Sequence, residues 1–293
     1  MYRPTCKSYF SGGGLSDLGL TQAGVDIIQS LEIDTASCDT LRTNFSHKIV
    51  EADITKMLVN KQDASDMIWG TYPCTKYSNI ADIHGTRNGD DLYLHFMRHI
   101  ILESPEMYCL ENVVGMRAFK VVMEAMTKLP GYYVNIFCPI DANLWLPQNR
   151  KRLIIFGTKK PMSVSEPAPL IRRPKLRDLI DRNPDMEIPD YVIKRLNGGY
   201  RDKPIISDPS DPYAFAPTAV AHYSKDKSTR MVKDPSHFLG VRPYSCKEYA
   251  RLQGVPDSYQ FKGGDNEALK QIGNGVCVPM ARWVGEVAMR YFN

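Results

Sequence analysis

The chain has 293 residues, roughly twice the usual domain length and enough to bury a sizeable core. Hydrophobic residues make up 43% and charged residues 24%, and the absence of an apolar run of about 18 residues excludes a membrane-spanning helix. A net charge of +4 is too small by itself to indicate a nucleic-acid partner, but its placement is informative.

The segment Met1-Tyr2-Arg3-Pro4-Thr5-Cys6 has no apolar stretch behind its basic residues, so no secretory signal is expected. Seven cysteines without paired spacing suit reduced thiols in a cytoplasm better than a disulfide framework. No Cys-x-x-Cys pair or histidine cluster suggests a metal site.

In chain order, Tyr9-Phe10 ends a first strand, Gly24 to Ser30 follows a helical pattern, and Ser30 to Ile33 reads as the next strand. Short apolar runs at Asp66–Gly70 and Met107–Leu110 are further strands; Leu92 to Leu102 has helical spacing; Gln148 leads through a turn into a strand at Leu153–Phe156. Strands alternating with helices predict an α/β fold with a mostly parallel sheet. From Lys159 to Val241 the chain holds 15 Lys/Arg against 11 Asp/Glu and 11 of its 20 prolines. That stretch carries the whole net charge and reads as a smaller, basic, loop-rich lobe.

Four candidates, the first with two accessory carboxylates, could carry chemistry. Phe10-Ser11-Gly12-Gly13-Gly14 lies between a strand and a helix, where glycine permits a tight turn and close backbone approach to a nucleotide-like ligand. A bare turn is the alternative. Glu32-Ile33 and Asp53-Ile54 place carboxylates at later strand ends, suited to ribose hydroxyls and an adenine amino group, with an ordinary strand-end carboxylate as the alternative for each taken singly. Pro73-Cys74 follows the Met67–Gly70 strand, where Cys74 is either a presented thiolate nucleophile or a small buried side chain. Glu111, at the mouth of an apolar strand, is a candidate acid or a helix-start carboxylate. In Gln148-Asn149-Arg150-Lys151-Arg152, alternation puts Arg150 and Arg152 on one face, facing a phosphate, carboxylate or pyrimidine carbonyl, or solvent.

Taken in this order, the segments resemble the DNA (cytosine-5) methyltransferase family. Phe10-Ser11-Gly12-Gly13-Gly14 is similar to its Phe-x-Gly-x-Gly loop, Pro73-Cys74 to its Pro-Cys, Glu111-Asn112-Val113 to its Glu-Asn-Val, and Gln148-x-Arg150-x-Arg152 to its Gln-x-Arg-x-Arg. Arg242-Pro243-Tyr244-Ser245-Cys246-Lys247-Glu248-Tyr249-Ala250-Arg251-Leu252-Gln253-Gly254-Val255-Pro256-Asp257-Ser258-Tyr259 and Gln271-Ile272-Gly273-Asn274-Gly275-Val276-x-Val278-Pro279 resemble its two closing motifs.

The resemblance implies a Rossmann-like class I methyltransferase domain formed by residues 1–158 and 243–293, with 159–242 as a target-recognition domain. It implies S-adenosylmethionine as methyl donor, held by Phe10, Gly12, Gly14, Glu32, Ile33, Asp53, Ile54, Pro73, Asn274 and Val276, and no metal. Cys74, Glu111, Arg150 and Arg152 would be the catalytic residues, acting on a flipped-out cytosine in double-stranded DNA. The expected setting is a monomer on DNA in a prokaryotic cytoplasm, with a cognate restriction enzyme as a possible partner and no membrane association. The sequence departs from the family at Leu15, Tyr72 and Thr75, which concern the cofactor loop and the loop over the base. Competing readings are a tRNA cytosine-5 methyltransferase, whose Cys-Phe-Thr signature has no counterpart in the cysteine-free stretch 159–241, and a non-catalytic nucleic-acid-binding homologue.

Overall fold

A computed structural model describes residues 1–59, 64–73, 92–182, 184 and 186–293. The alternating apolar runs form a seven-stranded sheet of β1 (Thr5–Tyr9), β2 (Asp26–Glu32), β3 (Lys48–Glu51), β4 (Met67–Gly70), β5 (Met107–Val113), β6 (Tyr133–Asp141) and β7 (Lys151–Thr158), in the order β3-β2-β1-β4-β5-β7-β6. Strands β3 to β5 pair in parallel. Strand β7 runs antiparallel to both β5 and β6, so the sheet is mostly parallel with one reversed strand.

Helices α1 (Leu15–Ala23) and α2 (Thr35–Asn44) follow β1 and β2, and α3 (Leu92–Glu103) and α4 (Lys120–Thr127) flank β5. The expected helix over Gly24 to Ser30 is instead most of β2, and the helix lies earlier, in α1. Gly24, at φ 105°, ends α1 in the left-handed conformation and donates its N–H to carbonyls of the last turn. Strand β2 lacks strict alternation because it is covered on both faces and its register with β1 shifts at Cys6/Lys7, so that Ile27 enters one core layer and Leu31 the other.

Beyond β7 the chain forms α5 (Leu176–Leu179), α6 (Asp190–Leu196) and a three-stranded sheet of β8 (Ile205–Ser207), β9 (Arg230–Lys233) and β10 (Val241–Pro243), ordered β10-β9-β8. Helices α7 (Cys246–Arg251), α8 (Gly264–Asn274) and α9 (Val278–Phe292) then return to the large sheet. Ser245 caps α7 reciprocally with Glu248.

Helix α9 packs backbone-close on α1. A methyl group on Gly19 would lie 2.4 Å from Val278 O, and one on Gly285 would lie 2.5 Å from Ala23 Cβ. Leu20 and the α9 residues Trp283, Val284 and Val287 share one core layer with Cys6, Trp69 and Phe156; Phe96, Ile100, Val122 and Met126 form the other with Tyr9, Leu110 and Ile155. Among the described residues, no helix is long and apolar enough to cross a membrane.

Candidate active site

Strand β1 lies between β2 and β4, so the chain leaves its carboxyl end in opposite directions and opens a crevice there, the usual ligand position of open α/β sheets. A cavity of about 440 Å³ fills it, walled by the ends of β1 to β5, the start of β7 and the turn after α8.

At the end of β1, Phe10 takes φ 59°, uncommon for a residue with a side chain. The turn is pinned on both sides: Ser11 N donates to Leu31 O at 3.1 Å, and Thr71 Oγ1 donates to Phe10 O at 2.8 Å. Gly12 (φ 53°) borders open space, because a methyl group placed on it meets no atom within 4 Å. Gly14 (φ 78°) is different. It caps α1 and lies outside the cavity wall, where a methyl group would press on Leu41 and Phe45 at 2.7 Å. Leu15, at the departure from the family pattern, is buried with its side chain packed against Gly275, where a methyl group would come within 2.5 Å of it.

Glu32 holds the loop directly. Its Oε2 accepts from Gly12 N at 2.7 Å, and Oε1 accepts from the N–H groups of Ile33 and Asp34 at 2.9 and 3.0 Å. Asp53 Oδ1 accepts from Thr55 N and Oγ1, which hold its carboxyl below the usual carboxylate range. Ile33 is exposed on the rim and Ile54 is buried beneath. Acceptors beside apolar walls, with open space at Gly12, suit a ligand bearing hydroxyls, an amino group and an aromatic base; this set of acceptors fits an adenosyl group.

The opposite side of the cavity holds an ion pair. Arg152 Nε stands 2.7 Å from Glu111 Oε1, both side chains nearly buried. In the antiparallel ladder Arg152 is opposite Val113 and Glu111 is opposite Ile154, so the pair is a diagonal neighbour contact. Asn112 Nδ2 donates to Tyr72 O at 3.1 Å while its Oδ1 accepts from Val113 N. The Glu-Asn-Val segment thereby anchors the chain just before Pro73, which lines the cavity. Tyr72 is buried and meets Phe10 edge-on, with ring centroids 6.3 Å apart. Cys74 and Thr75 lie outside the described residues.

Arg150 and Arg152 do not share partners. Arg150 reaches the cavity wall, yet its guanidinium is 1% exposed and donates to the carbonyls of Ala219, Gly273 and Gly275. Burial, with the neighbouring charge of Arg152, pulls it down to about 9, so it remains charged at neutral pH. Asn274 is exposed at the rim and Val276 is buried below it, both in the wall.

Sequence reasoning gave no site role to four contributors. Asp34 caps α2 and pairs with Lys270 of α8 at 3.0 Å across the cavity rim. Although partial burial works in the other direction, hydrogen bonds from Ser37 and Lys270 hold Asp34 below its ordinary range. Gln271, 2% exposed, lies against Gly13 in the same wall. Tyr259 donates to Gly13 O at 2.6 Å, tying the chain after α7 to the glycine loop. Gln271 and Tyr259 already stand in the two closing motifs, while Asp34 and Lys270 were signalled only by adjacency to Ile33 and Gln271 in the sequence.

The sequence profile of the C-5 cytosine-specific DNA methylase family matches residues 5–290. The chain is 28% identical to the type II methyltransferase M.NlaX of Neisseria lactamica over 303 residues, covering 94% of this chain and 93% of that protein. It is 30% identical to the type II methyltransferase M.BsuFI of Bacillus subtilis over 308 residues, covering 94% and 70%. Among solved structures, the Entamoeba histolytica methyltransferase EhMeth superposes with a TM-score of 0.81 at 16% identity, with both chains fully covered. The S. pombe Dnmt2 methyltransferase superposes with 0.79 at 15%, covering 99% of this chain and 100% of that one; at such identities both speak for the fold alone. The chain therefore belongs to the C-5 cytosine-specific DNA methylase family and is a methyl-transferring enzyme.

Proposed function

We propose that the protein methylates C5 of cytosine in a short duplex DNA site, using S-adenosylmethionine and a covalent adduct between Cys74 and cytosine C6. The observation that carries this reading is one cavity holding both the Glu111–Arg152 pair and the Gly12–Glu32–Asp53 wall, bordered by Pro73 immediately before Cys74. The rim and wall residues Phe10, Gly12, Glu32, Ile33, Asp53, Ile54, Pro73, Asn274 and Val276 would hold the donor. When bound, it supplies an electrophilic methyl group on sulfur.

Cytosine C5 is too weak a nucleophile to accept that methyl group unaided. Addition of the Cys74 thiolate at C6 forms a C–S bond and pushes the ring π electrons onto C5. Glu111 meets N3 and Arg152 faces O2, so the charge that develops on the ring meets groups already in place. After C5 takes the methyl group, loss of its proton and cleavage of the C–S bond restore the aromatic ring and release Cys74. The C6 face is stacked in a duplex, so the base must leave the helix at a cost of a few kcal/mol.

Residues 159–242 would form the target-recognition domain, their cations meeting phosphates and base edges. The type II relatives support a place in a restriction–modification system, with a cognate restriction enzyme acting on the same site. A duplex carrying 5-fluorocytosine at the target tests the adduct: fluorine cannot leave C5 as a cation, so wild-type protein should form a denaturation-stable complex with DNA that Cys74→Ser does not. Absence of the complex on a duplex that is otherwise methylated would refute the covalent route.

A further inference from the structure

Arg150 carries a charge in the interior, and among the described residues it makes no ion pair and its Nε has no partner. Its remaining donors converge on carbonyls from two distant segments. Nη1 donates to Ala219 O at 2.5 Å, and Nη2 to Gly275 O at 2.7 Å and Gly273 O at 3.2 Å. A guanidinium can do this because its donors are fixed in a planar fork; an ammonium is a compact point charge.

Gln148 completes the same buried network. Its Oε1 accepts from Ala219 N at 2.9 Å, and its Nε2 donates to Leu252 O and to Gln253 Oε1. Gln253 Nε2 in turn donates to Ile272 O at 2.8 Å and Gly275 O at 3.1 Å. Ala219 is thus held at both its N–H and its carbonyl, and Gly275 O receives bonds from two side chains. The end of α8 also touches the chain after Ala219: a methyl group on Gly273 would lie 2.2 Å from Ala221 N. Arg150 stands one residue before β7, and Arg152 is the second residue of that strand.

We propose that Arg150 is a positioning residue: with Gln148, it sets the Gly273–Gly275 turn and segment 216–221 in register with the Glu111–Arg152 pair, and it touches neither cytosine nor phosphate. This rests on the reading of the cavity as a methyl-donor and cytosine site. It assigns the two arginines of the Gln-x-Arg-x-Arg segment to separate tasks, and it makes donor affinity depend on a side chain anchored to the far segment. Lysine cannot substitute, because the requirement is the fork and not the charge.

The test uses the full chain without DNA. Titration calorimetry with S-adenosylmethionine compares wild type, Arg150→Lys, Arg150→Met and Gln148→Met at a temperature where circular dichroism shows each to be folded; Gln148→Met leaves the buried charge in place should the arginine variants not fold. The salt dependence of binding to mixed-sequence duplex is measured alongside. The expected result is donor affinity weakened ten-fold or more in all folded variants, lysine included, with the slope of log affinity against log salt unchanged. Wild-type donor affinity in Arg150→Lys or in Gln148→Met overturns the proposal, as does a salt slope reduced by about one in Arg150→Met, which would place the charge on a phosphate. Failure of the wild type itself to bind the donor would overturn the reading of the cavity and this inference with it.

Discussion

Glu111 and Arg152 meet diagonally across the β5–β7 ladder, Oε1 to Nε at 2.7 Å, with 9% and 12% of their side chains exposed. Reversal of β7 makes this contact, since a parallel neighbour would carry Arg152 to the other end of the sheet. Glu111→Gln keeps the shape and removes the charge that Arg152 faces. Methyl transfer is expected to fall by about 10²-fold or more, while donor affinity measured by calorimetry stays within a few-fold of wild type. An equal loss of both would mean that Glu111 supports the donor side of the cavity instead.

Two glycines of the same loop should respond differently to alanine. At Gly12 the backbone strain costs about 1 kcal/mol and the added methyl group projects into open space, so donor binding suffers more than stability. At Gly14 the same strain is joined by pressure on Leu41 and Phe45, and a loss of about 2 kcal/mol or more in urea unfolding is expected. If Gly12→Ala proves the more destabilising of the two, the assignment of Gly12 to the cavity wall and Gly14 to the helix junction is wrong.

Behind the glycine loop, Glu103 of α3 accepts from Lys7 Nζ at 2.7 Å and Tyr9 Oη at 2.6 Å, and contacts His99 Nδ1 at 3.0 Å. Burial pushes its carboxyl up, but hydrogen bonds from His99, Lys7 and Tyr9 outweigh it and hold the group below its ordinary 4.5. A depressed carboxylate stabilises the fold fully above pH 4.5, and that contribution is lost as the pH falls through the lower folded value. Glu103→Gln leaves Lys7 buried without its partner and should cost about 3–5 kcal/mol near neutral pH. Urea midpoints of wild type and variant should converge on acidification; a gap independent of pH contradicts the account.

Burial pushes the thiols of Cys6 and Cys109 well up and those of Cys38 and Cys277 up to about 12. These groups are thiols, not thiolates, at neutral pH, and alkylation by iodoacetamide should be slow at all four. Mass spectrometry after brief labelling is expected to find Cys74 modified ahead of them. Preferential modification of any of the four instead would argue against Cys74 as the nucleophile.

Strands β1, β4, β5 and β7, with Glu111 near the end of β5, were legible in the sequence because a doubly wound sheet demands continuous apolar runs ending in turns; β3 and β6, the two edge strands, bury few side chains and left no such run to read. The region from Gly24 to Ser30 was misread because a strand covered on both faces shows no strict alternation; Gly24 was the better signal, since glycine after a polar-edged helical run marks a helix end. The pairing of Arg150 with Arg152 on one face was a local argument. In the fold Arg150 is directed by carbonyls 69 and 125 residues away, and no spacing rule reports partners that are backbone atoms of remote segments. The packing of α9 on α1 through Gly19 and Gly285 is likewise a close approach that a glycine permits and does not announce.

Incorporation of label from methyl-labelled S-adenosylmethionine into mixed-sequence duplex DNA, with total tRNA in parallel and Cys74→Ser beside wild type, tests the central claim most directly. The account predicts label at C5 of cytosine in the duplex, none in tRNA, and none with the serine variant. Label in tRNA alone, or transfer to DNA that survives Cys74→Ser, would contradict it.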